Sequence, residues 1–266
     1  AGGAGKVTAE WMINGEVNED VFSLDITRFE KFHSETNFII DRAAESLGNQ
    51  YAMHWPYKQQ KTSRNIKTFP YHDLLKKEGA CFGQVAGFES PLWYAIDGEK
   101  PEFKYSFGYQ NWYKSAQNET INTRKNVGFF ELTPFAKFEI EGEAAYSSLQ
   151  YLCSNDIKNN DGAITYTQML NSKGGIEADL SVTCISKNKF RIITGSGVRE
   201  HDKKHILRYL DQDVKFTDIT DNYSCFGIFG PKSRSLLTQM VGNEFENNKF
   251  PFGMGKFLKI NNIYIW

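Results

Sequence analysis

The chain has 266 residues, of which 40% are hydrophobic and 15% aromatic, enough to bury a sizeable core and to exclude global disorder. The formal net charge is −1 and the lysines and arginines are scattered, so a nucleic-acid-binding surface is not expected. No apolar run approaches the roughly 20 residues of a membrane span, and the first residues show no charged region followed by an apolar one, so neither a membrane span nor a signal peptide is expected. The composition predicts a folded protein that binds neither nucleic acid nor membrane.

The four cysteines are widely spaced and form no Cys-x-x-Cys pattern. They predict neither a disulfide framework nor a zinc site, so no metal is expected. Reduced thiols are typical of a cytoplasmic protein, or of the mitochondrial matrix if the source is eukaryotic. The chain opens on Ala1 and closes on a β-like run that ends at Trp266, so we expect a piece of a longer polypeptide.

The N-terminal segment combines glycines with helix signals. Residues 1–5 predict a turn, and Lys6 to Asn14 predicts a helix that ends at Gly15. A helix start of this kind offers free N–H groups to an anion or a cofactor, but a plain turn is the simpler interpretation because Gly-x-Gly-x-x-Gly is absent. Further predicted elements are a strand or short helix over 21–32, a helix over 41–47, and a helix between Pro70 and Gly79.

A dense group of aromatic residues follows between Cys81 and Tyr113. Such residues form either a stacking surface for a flat ring or, more often, a packed core or interface. The polar run from Asp97 to Glu102 interrupts the group and predicts a linker or boundary.

The C-terminal half mixes strands and helices without a regular βαβ repeat, which predicts an α+β fold. The predicted strands cover a β-rich run over 127–142, then 165–170, 176–185, 189–194, 215–219 and 222–229, and the predicted helices cover 143–153, 201–210 and 233–241.

The hairpin from Tyr166 to Ile185 is the predicted centre of the chemistry. Its two β-favouring runs flank Asn171-Ser-Lys-Gly-Gly175, whose small residues suit a tight reversal. In the second run apolar and polar residues alternate, so Asp179 is expected mid-strand on the polar face. A carboxylate fixed on a strand can hold a ligand nitrogen, although most strand carboxylates simply face water.

Several motifs, in this order, resemble the dimethylglycine and sarcosine dehydrogenase family over essentially the whole chain. They are Ala1-Gly-Gly-Ala-Gly-Lys6, Phe88-Glu-Ser-Pro-Leu-Trp-Tyr94, Gly128-Phe-Phe-Glu-Leu-Thr-Pro-Phe-Ala-Lys-Phe138, Met169-Leu-Asn-Ser-Lys-Gly-Gly-Ile-Glu-Ala-Asp-Leu-Ser-Val-Thr183, Ile193-Thr-Gly-Ser-Gly197 and Phe226-Gly-Ile-Phe-Gly-Pro231. The resemblance implies three parts: the end of a FAD-binding oxidoreductase domain (1–24), its central connecting region (25–80), and the first half of an aminomethyltransferase-like folate-binding domain (81–266).

The resemblance also implies a chemistry. The family oxidises an N-methylated amine at FAD, passes the one-carbon unit to tetrahydrofolate, and delivers electrons to an acceptor protein or to oxygen. Asp179 would orient the folate nitrogen and take or share its proton. The implied cofactor contacts are Ala1, Gly2 and Gly3 for FAD and Leu170, Asp179, Ile193 and Thr194 for folate, with Asp179 also catalytic.

The sequence departs from the family pattern in several places. Gly195 stands where aminomethyltransferases have an asparagine, so that side-chain contact is lost. Because the FAD fingerprint and the second half of the folate domain are also absent from the sequence, we expect this chain alone to be inactive as an oxidase. Two alternatives stay open: a folate-dependent aminomethyl- or methyltransferase without flavin chemistry, and a non-catalytic relative similar to the regulatory subunit of pyruvate dehydrogenase phosphatase. Nothing in the sequence separates dimethylglycine from sarcosine or another methylated amine.

Overall fold

A computed structural model of the chain describes residues 2–15, 17 and 19–266. No helix in this part of the chain is long and apolar enough to cross a membrane. The α-helices are α1 (Gly2–Asn14), α2 (Thr36–Asn49), α3 (His72–Lys77), α4 (Tyr113–Lys125), α5 (Ala145–Leu152), α6 (Arg199–Tyr209) and α7 (Ser233–Val241).

The strands of the described residues form four antiparallel sheets. They are β1 (Ala80–Val85), β2 (Phe88–Tyr94), β3 (Gly128–Glu131), β4 (Ala136–Glu141), β5 (Ile164–Leu170), β6 (Ile176–Ser186), β7 (Lys189–Thr194), β8 (Lys215–Asp218), β9 (Phe226–Phe229), β10 (Leu258–Ile260) and β11 (Ile263–Ile265). β1 pairs with β2, β3 with β9 and β10 with β11, while the remaining five strands form one sheet in the order β5-β6-β7-β4-β8.

The hydrophobic core lies between the five-stranded sheet and the helices α5 and α6. Alternate residues of the central strands point into it, among them Phe138 of β4 and Phe190 and Ile192 of β7, all fully buried. Leu149 of α5 and Ile206 of α6 close the core from the other side. The opposite side of the sheet is therefore free to carry polar residues, and the predicted α+β class is confirmed.

The predicted hairpin is confirmed as β5 and β6, in which Gln168 lies opposite Asp179. Asn171 closes the turn between the strands. Its Oδ1 accepts hydrogen bonds from the backbone N–H groups of Lys173 and Gly175, each at 2.9 Å. The Asn171 side chain thus accepts the hydrogen bonds of turn N–H groups that would otherwise need main-chain acceptors. The position of this asparagine in the sequence therefore sets where the turn ends and β6 begins.

The strand β5 forms one edge of the five-stranded sheet, and main-chain hydrogen bonds cover part of its outer side. The N–H of Ser154 donates to the carbonyl of Gln168 at 2.8 Å. The N–H of Ile164 donates to the carbonyl of Gly253, also at 2.8 Å. Segments outside the five-stranded sheet therefore pair with this edge at both of its ends.

The N-terminal segment differs from the expectation in one respect. The turn predicted at residues 1–5 is helical from Gly2 onward, because helical hydrogen bonding continues through the glycines at a cost of only about 1 kcal/mol each. The helix ends before Gly15, as predicted. For residues 21–32, where a strand or a short helix was predicted, the structure has short 3-10 turns. At the first of these turns the N–H of Phe22 donates a hydrogen bond to the carboxylate of Asp20 at 3.1 Å.

The aromatic group between residues 81 and 113 has a packed centre. Trp93 of β2 is 2% exposed, and its ring centroid lies 6.4 Å from that of Trp112. Phe103 meets Trp112 edge-on at 5.3 Å. These three rings are therefore part of a packed core. The polar run over 97–102 forms a loop, and its role as a linker or boundary stays a prediction.

Charged side chains join the segment 19–68 to the sheets that follow it. Arg64 donates through Nε to Glu89 of β2 at 2.8 Å, and the Glu89 side chain is 1% exposed. Glu30 accepts a hydrogen bond from Arg199 of α6 at 3.3 Å. These contacts connect regions far apart in sequence into one packed arrangement.

Candidate functional site

Asp179 lies on the side of the five-stranded sheet that faces away from α5 and α6. Alternate residues of β6 from Ala178 to Cys184 are buried, whereas Asp179 is exposed. Ser181, the next residue on the Asp179 side, pairs with Ile193 of β7, and alternation along β5 directs Leu170 to the same side. The structure thus brings three of the predicted folate contacts together on one surface, which we call the outer face.

A neighbour from β5 holds the Asp179 carboxylate. Gln168 donates through Nε2 to Oδ1 at 3.0 Å. The neighbouring carboxylate of Asp179 raises the pKa of Tyr166. The carboxylate is therefore oriented by strand pairing while the residue remains exposed to a ligand.

Replacing Asp179 by asparagine should lower the pKa of Tyr166 toward its ordinary value, because the amide carries no negative charge to stabilise the protonated phenol. The check is a pH titration of ring-labelled tyrosine followed by NMR. Tyr264, on the separate β10–β11 hairpin, serves as the internal reference. An unchanged Tyr166 titration in the variant would contradict the contact.

Thr194 follows Ile193 on β7 and therefore points to the opposite side of the sheet. Its side chain is 2% exposed, and its Oγ1 donates a hydrogen bond to the fully buried Asp202 of α6. Side chains of adjacent residues on a strand point to opposite sides of the sheet. If Ile193 faces the folate, the Thr194 side chain therefore points away from it. The structure does not bring this hydroxyl to the outer face.

The residues predicted to approach FAD lie at the beginning of the chain. Gly2 and Gly3 form the first turn of α1 and are exposed, and nothing outside that helix's own backbone lies within 4 Å of a Cβ placed on either. Ala1 lies outside the described residues. No cradle for a cofactor surrounds the two glycines in the part of the chain that is described, so their FAD contact stays a prediction.

Two buried cations lie on the outer face beyond Ile193. Lys137 of β4 is 3% exposed, and its Nζ donates to the carbonyl oxygens of Thr133 at 2.7 Å and Phe135 at 2.9 Å. Burial lowers the pKa of Lys137. Arg191 of β7 donates to Glu139 at 2.6 Å. The sequence analysis did not single out either cation, although one belongs to the quoted Thr-Pro-Phe-Ala-Lys run.

The sequence analysis also missed His201, which lies between two carboxylates. Its Nδ1 is 2.9 Å from Oδ1 of Asp202, and its Nε2 is 3.2 Å from Oε2 of Glu177, which precedes Asp179 on β6. The sequence signal is a histidine beside an acid at a predicted helix start, but β6 supplies the second acid from far earlier in the chain. Within the ranges that the structure describes, no three His, Cys, Asp or Glu side chains are arranged to hold a metal ion.

The fold is that of an aminomethyltransferase. The glycine cleavage system aminomethyltransferase T from Bartonella henselae superposes with a TM-score of 0.58 and 21% sequence identity, covering 74% of this chain and 48% of that one. Residues 71–266 match the family model described as the GCVT N-terminal domain, and residues 14–68 match the FAD dependent oxidoreductase central domain. The chain therefore belongs to the GCVT N-terminal domain family, joined to a FAD oxidoreductase central domain. The boundaries predicted near residues 24 and 80 stay a prediction.

Two curated relatives match almost the whole chain. The 4-methylaminobutanoate oxidase (formaldehyde-forming) of Paenarthrobacter nicotinovorans is 34% identical over 100% of this chain and 32% of its own length. The mitochondrial dimethylglycine dehydrogenase of Rattus norvegicus is 30% identical over 99% of this chain and 31% of its own length. The chain thus spans about a third of these relatives, and the resemblance to the dimethylglycine and sarcosine dehydrogenases is confirmed.

Proposed function

We propose that this chain supplies the folate-binding surface of an enzyme that oxidatively demethylates an N-methylated amine with FAD and transfers the one-carbon unit to tetrahydrofolate. The observation that carries the proposal is the outer face, where Leu170, Asp179 and Ile193 share one side of the sheet. The relatives support it, because their names describe an oxidase and a dehydrogenase of methylated amino acids.

The residues of the outer face fit a reduced pterin. Asp179 would accept a hydrogen bond from a ring N–H and would take the proton that this nitrogen releases, since an ionised carboxylate is an acceptor with free lone pairs. Gln168 keeps the carboxylate oriented. Leu170 and Ile193 would contact the flat ring through apolar side chains. Tetrahydrofolate supplies the nitrogens that accept the one-carbon unit.

The flavin half of the reaction has a different basis. The described residues around Gly2 and Gly3 form no cofactor cradle, and the sequence has no Gly-x-Gly-x-x-Gly. The presence of FAD is therefore proposed from the match over residues 14–68 alone. The substrate, proposed as dimethylglycine, sarcosine or a similar amine, and the acceptor, a protein or oxygen, are proposed from the relatives.

A titration with tetrahydrofolate, followed by tryptophan fluorescence or calorimetry, tests the proposal. We expect saturable binding to the parent chain. Asp179→Asn is expected to weaken binding about 10-fold or more, because a hydrogen bond to a charged group contributes about 1.5–3 kcal/mol. Asparagine preserves the shape of the side chain, so the change isolates the charge.

Asp156→Asn is the matched control, because Asp156 is an exposed acid on the loop that precedes β5. This variant is expected to bind tetrahydrofolate like the parent. Tight binding that Asp179→Asn leaves unchanged would remove Asp179 from the site. Failure of both this chain and a longer protein containing it to bind tetrahydrofolate would overturn the proposal.

A further inference from the structure

The first turn of α6 lies against the ends of two neighbouring strands of the sheet. Asp202 accepts a hydrogen bond from Thr194 at the end of β7. His201 contacts Glu177 at the beginning of β6. The same two strand ends carry Asp179 and Ile193 of the outer face, so this turn of α6 is attached where the candidate folate site is built.

Both ring nitrogens of His201 face carboxylate oxygens, at 2.9 Å from Asp202 and 3.2 Å from Glu177. A neutral imidazole has a single N–H, so its other nitrogen would place a lone pair against a carboxylate oxygen, which is repulsive. The imidazolium has two N–H groups and donates to both carboxylates. The hydrogen bond to Asp202 raises the pKa of His201, and the negative charges of both acids add to this effect against the opposing influence of burial.

The titratable groups that face His201 come from three parts of the chain. Asp202 and His205 belong to α6, Glu177 belongs to β6, and Asp20 precedes the first 3-10 turn. The three acids favour the imidazolium. His205 opposes it only if it is itself charged, and burial lowers the pKa of His205.

Glu177 transmits the contact to the turn of the hairpin. Its Oε1 accepts a hydrogen bond from Nδ2 of Asn171 at 2.9 Å, and Oδ1 of the same asparagine holds the N–H groups of Lys173 and Gly175. Asp179 lies two residues beyond Glu177 on the same strand. A displacement of Glu177 would therefore move the turn and the Asp179 carboxylate together.

The other contacts of α6 keep the helix itself in place. The ring of Phe22 meets that of His201 edge-on at 4.9 Å. Lys204 donates to Asp25, a buried residue, at 3.1 Å. Since the helix is also packed on the core, it offers a fixed support for the hairpin.

We propose that His201 is a positioning residue of the candidate folate site, and that its imidazolium form fixes the hairpin carrying Asp179 against α6. The proposal rests on the proposed function for the identity of the ligand. Because the contact needs the charged ring, the hairpin is held at a pH below the raised pKa of His201 and is released as the pH rises through it. Affinity for tetrahydrofolate should fall over the same range.

The test measures tetrahydrofolate affinity from about pH 6 to about pH 9 for the parent, His201→Gln and His201→Arg. The parent is expected to lose affinity as His201 loses its proton. His201→Gln should bind about 10-fold more weakly at the acidic end and show no further loss, a coupling of the size found between interacting sites. His201→Arg keeps a cation at every pH tested and should remain close to the acidic-side affinity of the parent.

Amide hydrogen exchange gives a second readout that needs no folate. Exchange from Asn171 to Asp179, compared at one pH below the His201 pKa, is expected to be faster in His201→Gln than in the parent. Lys203→Ala is the control on the same helix, because Lys203 forms an i,i+3 ion pair with Glu200 of its own helix, and its loss should leave the hairpin unchanged.

The outcomes separate the two proposals. If His201→Gln matches the parent in both its pH profile and its hairpin exchange, the positioning role is overturned. If the parent binds no tetrahydrofolate, the proposed function fails, and hydrogen exchange still decides the role of His201. Should His201→Gln not fold, as judged by circular dichroism, Glu177→Gln breaks the same contact from the strand side and replaces it in both measurements.

Discussion

Replacing Glu89 by alanine is expected to lower the free energy of unfolding by about 3–5 kcal/mol, because it leaves the Arg64 guanidinium without its carboxylate partner. The Glu89 side chain is 1% exposed and accepts hydrogen bonds from Arg64 Nε and from the N–H of Asn65, each at 2.8 Å. Removal of the carboxylate thus leaves a part-buried cation without this counter-charge and the backbone N–H of Asn65 without its acceptor. Urea denaturation at neutral pH measures the change.

The same pair makes stability depend on pH. Burial alone would raise the pKa of Glu89, but the hydrogen bonds from Arg64 and Asn65 outweigh it and lower that pKa. A carboxyl group with a depressed pKa stabilises the fold above its ordinary pKa, and this contribution is lost as the pH falls through the folded-state value. The difference between parent and Glu89→Ala should therefore shrink in acid.

Glu102→Ala is the control for the Glu89 variant. Glu102 forms an ion pair with Lys104 at 3.4 Å in which both side chains are largely exposed. Such pairs contribute about 0–1 kcal/mol, so this variant should unfold close to the parent. Equal stability losses in the two variants would contradict the importance of the buried pair.

Replacing Gly230 by alanine is the second change with a large expected effect, about 3 kcal/mol or more. Gly230 has φ +117°, in the region that side chains disfavour, and a Cβ there would collide with the backbone carbonyl oxygens of Asn126 and Thr123. This close approach seats the turn between β9 and α7 on the end of α4, where the N–H of Lys232 donates to Asn126 at 3.1 Å. Thermal unfolding measures the loss.

Gly98→Ala separates backbone strain from steric collision. Gly98 also has positive φ, at +79°, but nothing lies within 4 Å of a Cβ placed there. This control should cost only the strain of the left-handed conformation, about 1–2 kcal/mol. A Gly230→Ala protein no less stable than Gly98→Ala would mean that the turn moves away from α4 without penalty.

Local patterns predicted much of the C-terminal half. Alternation and turn residues identified β5 and β6, and apolar spacing over 143–153 identified α5, which spans Ala145–Leu152. The pairing of β3 with β9 was not predictable in this way, because it joins segments far apart in the chain and depends on the packing between them.

The candidate site likewise has residues that could be placed from the sequence and residues that could not. Once the hairpin is recognised, alternation directs Asp179 to the polar side of the sheet. The rule also separates Ile193 from Thr194, because adjacent residues of one strand point to opposite sides, so the second of these predictions could have been doubted from sequence alone. His201 could not have been assigned, since its contact with Glu177 depends on where α6 lies against the sheet.

The hydrogen bonds along the outer side of β5 also bear on aggregation. An open strand edge is a template on which a second chain can add by strand pairing, and a long, flat edge is a common origin of fibrous aggregates. Here the bonds at Gln168 and Ile164 engage main-chain groups at both ends of that edge. At these two positions the strand that carries Gln168 and Tyr166 is therefore closed to pairing with a second chain, and the open length of edge beside Asp179 is shortened.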